Sequence, residues 1–107
     1  MKITKGKAKR EDWDLVRSWN YKLPGELSGY QSVVYAELDG DHGSVSTESA
    51  ERIHFVIAGS GEFLFAGKTI EVEAGDVLTV PPNTEYDYKP TKGTTLKVLL
   101  FMELWDN

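Results

Sequence analysis

The sequence predicts an all-β domain, built as a barrel or a sandwich, and three observations support this prediction. Short β-prone runs follow one another from residue 30 onward, at residues 30–38, 53–58, 62–65, 69–72, 77–80, 86–89 and 95–104. Glycine and proline lie in the gaps between these runs, as reversing turns require. No later segment has the helical period and the length of about ten or more residues that parallel strand-helix-strand units need. An α/β fold is therefore disfavoured.

The length and composition indicate one water-soluble domain. A chain of 107 residues is long enough for one hydrophobic core and too short for two. Hydrophobic residues make up 40% of the chain, and no apolar run approaches the roughly 20 residues of a membrane-spanning helix. The formal net charge of -5 disfavours nucleic acid as a partner, because a polyanionic backbone would be repelled. We expect neither a nucleic acid nor a membrane partner.

The absence of cysteine excludes disulfides, thiolate metal sites and cysteine nucleophiles. The basic start of the chain is followed by acidic residues instead of an apolar stretch, which does not resemble a secretory signal. A cytoplasmic location is the expectation. Residues 1–29 are expected to form an N-terminal extension, in which residues 10–19 could make a short helix with Trp13 and Val16 on one face.

Two glycine-framed motifs stand within residues 40–86, one between Gly40 and Gly59 and one from Gly75 through Pro81 to Tyr86. Their spacing resembles the cupin superfamily, in which each motif carries histidine metal ligands within such a frame. The resemblance implies a double-stranded β-helix, or jelly-roll, barrel at about residues 30–105. Asn83 stands where the second motif has glycine, and asparagine tolerates the left-handed backbone conformation of such a turn.

The resemblance also locates the positions of the usual metal ligands, which are occupied here by Ser46, Glu48, Arg52 and Tyr86. Only Glu48 is a plausible ligand in this set. A transition metal ion needs three or four converging imidazole or carboxylate donors, and a guanidinium opposes it by charge. We therefore expect a cupin without a metal and without another cofactor.

The strand predicted around residues 52–58 has two interpretations. Amphipathic alternation alone would bury its apolar residues, which are Ile53, Phe55 and Ile57. The register implied by the resemblance instead turns Arg52 and His54 into the barrel, and we favour it because the glycine frame is independent of side-chain character. The apolar residues would then form an outer strip that a partner subunit or the N-terminal segment should cover. Cupins commonly dimerise through this region, so the resemblance implies a homodimer.

The same register predicts a pocket whose inner face carries Ser46, Glu48, Arg52, His54, Tyr86 and Tyr88. Arg52 offers a planar fork of donors, and tyrosines offer a stacking surface with a polar tip. This set favours a polar small-molecule ligand, sugar-like or carboxylate-like. An ion pair between Arg52 and Glu48 that serves only the structure is the alternative.

The sequence is compatible with an enzyme and with a binding protein. His54 or Glu48 could act as a general base and Tyr86 as an acid, with Arg52 holding an oxyanion, as in the metal-independent isomerases and epimerases among cupins. Binding without chemistry is the favoured alternative, and a metal-dependent oxygenase or decarboxylase is the third. His42, in a stretch rich in turn residues, is expected to be an exposed loop histidine.

Overall fold

A computed structural model describes residues 2–23 and 30–103 of the chain. Apart from one 3-10 turn at Lys5–Lys7, the regular structure within these ranges is β, which confirms the all-β prediction. The strands are β1 (Lys9–Trp13), β2 (Val16–Lys22), β3 (Tyr30–Leu38), β4 (Val45–Ser46), β5 (Arg52–Ala58), β6 (Ser60–Phe65), β7 (Lys68–Glu73), β8 (Val77–Val80), β9 (Glu85–Pro90) and β10 (Leu96–Glu103). No helix in the described ranges is long and apolar enough to cross a membrane.

Two antiparallel sheets form the fold. The first has the strand order β1-β2-β3-β10-β5-β8, and the second has the order β4-β9-β6-β7. Consecutive neighbours in both sheets pair antiparallel, so that side chains alternate between an inner and an outer face. The inner faces meet in a core that includes Leu38, Val56, Phe63, Tyr88 and Val98.

The predicted helix at residues 10–19 is wrong, because this segment forms the β1–β2 hairpin. Trp13 pairs with Val16 across the turn, and Asp14 takes a left-handed φ of 47° there. Strand β2 continues along β3 from Val16, opposite Leu38, to Lys22, opposite Ser32. The helix prediction rested on Trp13 and Val16, which would share one helix face. The backbone hydrogen bonds that β2 makes with β3 outweigh this weak helical preference.

Strand β5 has the orientation that the cupin register implied. His54 and Val56 are each 0% exposed, whereas Phe55 and Ile57 are 37% and 44% exposed. Strand β5 lies between β10 and β8, with His54 opposite Leu100 on one side and Leu78 on the other. The interpretation from amphipathic alternation is therefore wrong, because Phe55 and Ile57 face outward while His54 faces the core.

Gly59 marks the end of β5 for two physical reasons. Its φ of 81° lies in the left-handed region, which residues with a Cβ rarely adopt. A Cβ at this position would also overlap the backbone carbonyl oxygen of Thr95, so the two chains could not approach as they do. Asn83 takes a φ of 54°, as the prediction of a left-handed asparagine required.

The outer face of the six-stranded sheet is largely apolar, and among the described residues the N-terminal segment covers it beside β2, β3 and β10. The N-terminal segment contributes Ile3 to an apolar cavity of 490 Å³ on this face, whose other lining residues are Tyr21, Leu23, Val33, Tyr35 and Leu99. The Lys5 ammonium lies 4.3 Å from the centroid of the Trp19 ring. Toward β8 the face is bare, and Val77 is 59% exposed beside Phe55 and Ile57.

Candidate functional site

A line of three polar side chains lies between the two sheets. The Nη1 group of Arg52 donates a hydrogen bond to the Tyr86 hydroxyl oxygen at 3.2 Å. The same hydroxyl lies 3.3 Å from Nε2 of His54, close enough for a second hydrogen bond. Strand β5 supplies Arg52 and His54, and β9 presents Tyr86 from the facing sheet. The line begins at the half-buried Arg52 and ends at His54, which is fully buried.

Parallel aromatic rings surround the inner end of this line. The ring planes of Phe63 and Tyr88 differ by 1°, with centroids 4.6 Å apart, and those of Tyr86 and Tyr88 differ by 12°. The His54 ring meets Phe63, Tyr86 and Tyr88 edge to face, with centroid distances of 4.9, 5.5 and 5.4 Å. The quadrupoles of aromatic rings favour edge-to-face contact, and these three contacts hold the imidazole in one orientation.

His42 belongs to this cluster, and the expectation of an exposed loop histidine is wrong. The loop between β3 and β4 folds back over β9, where the His42 amide donates to the Tyr88 carbonyl oxygen at 2.8 Å. The half-buried His42 ring stacks on Tyr88 at 4.6 Å between centroids, and Trp13 meets it edge-on at 5.1 Å. The Trp13 indole also donates to the His42 carbonyl oxygen at 2.9 Å. No local sequence signal separates this histidine from the turn residues around it.

The protonation of His42 follows from its nearest acceptor. Its Nδ1 lies 2.9 Å from the Gly43 carbonyl oxygen, which can only accept, so this nitrogen carries the hydrogen. In the neutral ring, Nε2 is then the hydrogen-bond acceptor. Burial lowers the pKa of His42, although the backbone of Gly43 opposes the decrease. The neutral ring is therefore the favoured form at neutral pH.

Burial dominates the electrostatics of His54 and of the two tyrosines. It lowers the pKa of His54 to about 3, with a smaller contribution from the Arg52 charge, while the backbone of Leu78 opposes the decrease. Within the described ranges Nδ1 of His54 has no hydrogen bond of acceptable geometry. Burial also raises the pKa values of Tyr86 and Tyr88, against the opposing Arg52 charge. At neutral pH the imidazole is uncharged and both hydroxyls keep their protons.

The structure does not bring Ser46 and Glu48 to this cluster. Val45 pairs with the inward-facing Tyr86, so that Ser46, opposite the exposed Glu85, lies on the other face of β4. The Ser46 hydroxyl accepts a hydrogen bond from the Glu48 amide at 3.1 Å, and Glu48 is exposed in a turn with a φ of 59°. Spacing in sequence alone could not show that β4 ends after two residues.

The structural ion pair between Arg52 and Glu48 is also not formed. None of the carboxylates in the described part of the chain lies within 4.0 Å of the Arg52 guanidinium. The same part of the chain contains no group of three or more His, Cys, Asp or Glu residues that could hold a metal ion. With a guanidinium and a phenol among the four aligned positions, the donor set does not fit a divalent metal.

Two of the cavities that the described residues form lie outside the barrel interior. One is the apolar cavity on the outer face of the six-stranded sheet, beside Ile3. The other is a groove of 960 Å³ along β6, β7 and the turn after β9, with acidic residues that include Asp41, Glu71 and Glu73. Side chains fill the interior around His54 and Tyr88, so the half-buried Arg52 marks the more accessible end of the polar line.

A family model described as "AraC-like ligand binding domain" matches residues 28–105 of this chain. No protein of curated function matches the sequence. The matched region contains strands β3 to β10 and excludes β1 and β2. The match therefore covers both strands, β5 and β9, that carry the polar line.

Solved structures share the fold at low sequence identity. A predicted oxalate decarboxylase from Thermotoga maritima is 21% identical, with a TM-score of 0.81 over 98% of this chain and 100% of that one. The nucleoside dehydratase Pac13 is 22% identical, with a TM-score of 0.76 over 99% and 84% of the two chains. A Streptomyces Pac13 variant was solved with uridine. KdgF from Halomonas is 17% identical, with a TM-score of 0.73 over 96% and 93%. These similarities confirm the cupin jelly-roll fold.

We predict that His54 makes the protein less stable in acid. Its pKa is about 3 in the folded chain and 6.5 as its ordinary value, so the unfolded chain binds the proton more readily. The contribution of the uncharged His54 to the free energy of unfolding is complete above pH 6.5. It is lost as the pH falls toward 3, by about 1.4 kcal/mol per pH unit. Urea unfolding of the wild type and of His54→Gln at several pH values measures this loss.

The difference in slope between the two proteins is the quantity to compare, because carboxylates such as Glu37 and Asp39, whose pKa values are lowered, titrate in both. The wild type should lose stability more steeply than His54→Gln between pH 6.5 and 4. Equal pH slopes for the two proteins would contradict the prediction, because they would show that His54 binds a proton as readily in the folded barrel as in the unfolded chain.

Proposed function

We propose that this chain, which belongs to the AraC-like ligand binding domain family, binds a polar small molecule, sugar-like or carboxylate-like, at the inner cluster of its barrel. The observation that carries the proposal is the hydrogen-bonded line from Arg52 through Tyr86 to His54. Tyr88 and His42 flank this line, and we include both among the residues that form the site.

The polar character of the line supports a binding role over a purely structural one. A buried polar group costs free energy unless it is hydrogen-bonded, and apolar side chains of similar volume would stabilise a core more simply. Strand β5 nevertheless carries Arg52 and His54 on its inner face, where its neighbours are apolar. A ligand with hydroxyl or acidic groups could use the remaining donors of Arg52, and the uridine held by a Pac13 variant is a molecule of this polar kind.

Acid–base catalysis at the same residues is the second candidate. The neutral His54 can accept a proton and the protonated Tyr86 can donate one, and their polar atoms are 3.3 Å apart. An isomerase or epimerase would require these roles, with Arg52 beside a developing oxyanion, although the lowered pKa of His54 makes the imidazole a weak base. The fully buried position of His54 favours binding over catalysis, because a general base must reach the substrate. A metal-dependent oxygenase or decarboxylase is not proposed, since the donor set does not fit a metal.

We further propose that two copies of the chain associate through the bare part of the outer sheet face. Phe55, Ile57 and Val77 are exposed together on β5 and β8, and soluble proteins seldom leave such strips uncovered. The described residues of the N-terminal segment cover the opposite part of this face, near Tyr21 and Leu99. A second copy would present the same strip, as a twofold interface requires.

A cytoplasmic location, which cell fractionation would test, completes the proposal.

Native mass spectrometry of the protein as purified is the test of the binding proposal. We expect a non-covalent small molecule at one copy per chain, and its loss when Arg52→Gln removes the donor fork. The matched control is Arg10→Gln, because Arg10 is exposed and pairs with Asp12 on the surface. Detection of a stoichiometric metal ion in place of an organic molecule would contradict the proposal.

Tyr86→Phe separates binding from catalysis. The substitution keeps the aromatic ring and removes the proton donor, so an isomerase should lose turnover by a factor of about 100 or more while its ligand affinity falls much less. A binding protein has no turnover to lose, and only its affinity should change. Isotope exchange from solvent into the co-purified molecule measures turnover, and isothermal titration measures affinity. Undiminished turnover in Tyr86→Phe would eliminate Tyr86 as the acid.

The interface can be tested by placing a charge on the bare strip. Phe55→Glu should convert a dimer into a monomer, because a carboxylate at the centre of an apolar interface would be buried without a partner. Thr69→Glu adds the same charge at an exposed position on β7 and should leave the mass unchanged. Light scattering coupled to size-exclusion chromatography gives both masses. A monomeric wild type at micromolar concentration would exclude this interface.

A further inference from the structure

Basic residues collect at the accessible end of the barrel on inward-facing positions. In the six-stranded sheet, one cross-strand row runs through Lys22, Ser32, Met102, Arg52 and Val80. In the four-stranded sheet, the facing row runs through Val45, Tyr86, Phe65 and Lys68. Paired residues share a face, and the hydrogen bond from Arg52 to Tyr86 joins the two rows across the barrel. We call this end, defined by Lys22, Arg52 and Lys68, the basic mouth.

The charge of the basic mouth contrasts with that of the whole chain. The protein has a formal net charge of -5, yet neither of the two rows contains a carboxylate. Glu48 and Glu51 lie in the loop before β5, and no ion pair joins either of them to Arg52. The acidic residues of the large groove line a different region, along β6 and β7.

Arg52 also keeps unused donors. A guanidinium has five N–H groups in a planar fork, and the described residues accept a hydrogen bond from it only at the Tyr86 hydroxyl. The Arg52 guanidinium lies 5.9 Å from the centroid of the Tyr86 ring. Arg52 is a half-buried cation with free donors, and no carboxylate of the described residues lies within 4.0 Å of it. Such a group is well suited to an oxyanion, which can accept two parallel hydrogen bonds.

We infer that the ligand presents an oxyanion, a carboxylate or a phosphate, to the basic mouth, where Arg52 binds it beside the Tyr86 hydroxyl. This inference rests on the proposed function and decides between its two ligand classes, since a neutral sugar would leave the mouth without a compensating charge. Lys22 and Lys68, both exposed, attract the anion from solution, and the less hydrated guanidinium of Arg52 makes the directional contact.

Nuclear magnetic resonance of the full chain can test this with small probes. Sodium glycolate tests a carboxylate, inorganic phosphate tests a phosphate, and ethylene glycol is the neutral counterpart of glycolate. At constant ionic strength, at least one anion should shift the Arg52 Nε–H signal and the Tyr86 amide signal in a saturable way, and ethylene glycol should not. The stronger of the two anions identifies the source of the oxyanion.

Substitutions provide the matched comparison. Arg52→Gln should weaken anion binding at least tenfold, and Arg10→Gln should leave it unchanged. If Arg52→Gln does not fold, Arg52→Lys keeps the charge without the planar fork and should weaken binding by a smaller factor. Equal shifts at the Arg10 and Arg52 signals would show non-specific ion binding and overturn the inference. Equal responses to glycolate and ethylene glycol would also overturn it. The absence of a response to both anions would overturn it as well. A neutral co-purified molecule would overturn this inference alone and leave the proposed function standing.

Discussion

Strand β5 is held on both sides, by β10 and by β8, and this double pairing decides which of its faces enters the barrel. Because strand side chains alternate, the register that buries His54 and Val56 must expose Phe55 and Ile57. A slip of one residue would reverse every position. The polar line, the aromatic rings that pack on His54 and the apolar outer strip all depend on this register, and Gly59 ends the strand where the chain must turn.

The buried imidazole is the costly part of this arrangement. Desolvation keeps His54 uncharged, and the ring is held by three aromatic neighbours and by one hydrogen-bonding contact with Tyr86. Such a polar group gives a core less stability than an apolar side chain would. Ligand binding by the polar line would explain the position of His54 behind Arg52 and Tyr86. Functional sites commonly retain buried polar groups that packing alone would not favour.

Segments far apart in the chain complete the cluster. The β1–β2 hairpin supplies Trp13, whose indole donates to the backbone of His42, 29 positions later. The Gly43 amide donates to the Asp87 carboxylate at 3.0 Å, which fastens the same loop to β9. These contacts hold His42 against Tyr88, so a loop that joins two strands also packs on the proposed site.

The resemblance to cupins implied the inward orientation of β5, and the sequence by itself determined the all-β class, the positions of the turns after residue 30 and the left-handed Asn83. These features depend on local backbone conformation, which glycine, proline and asparagine control residue by residue. Only the tertiary structure decided that residues 10–19 form a hairpin, that His42 packs inside and that Ser46 and Glu48 lie elsewhere. Each of these outcomes depends on pairing between distant strands, such as β2 with β3 and β4 with β9, and the hydrogen bonds of such pairs leave no signal in the local sequence.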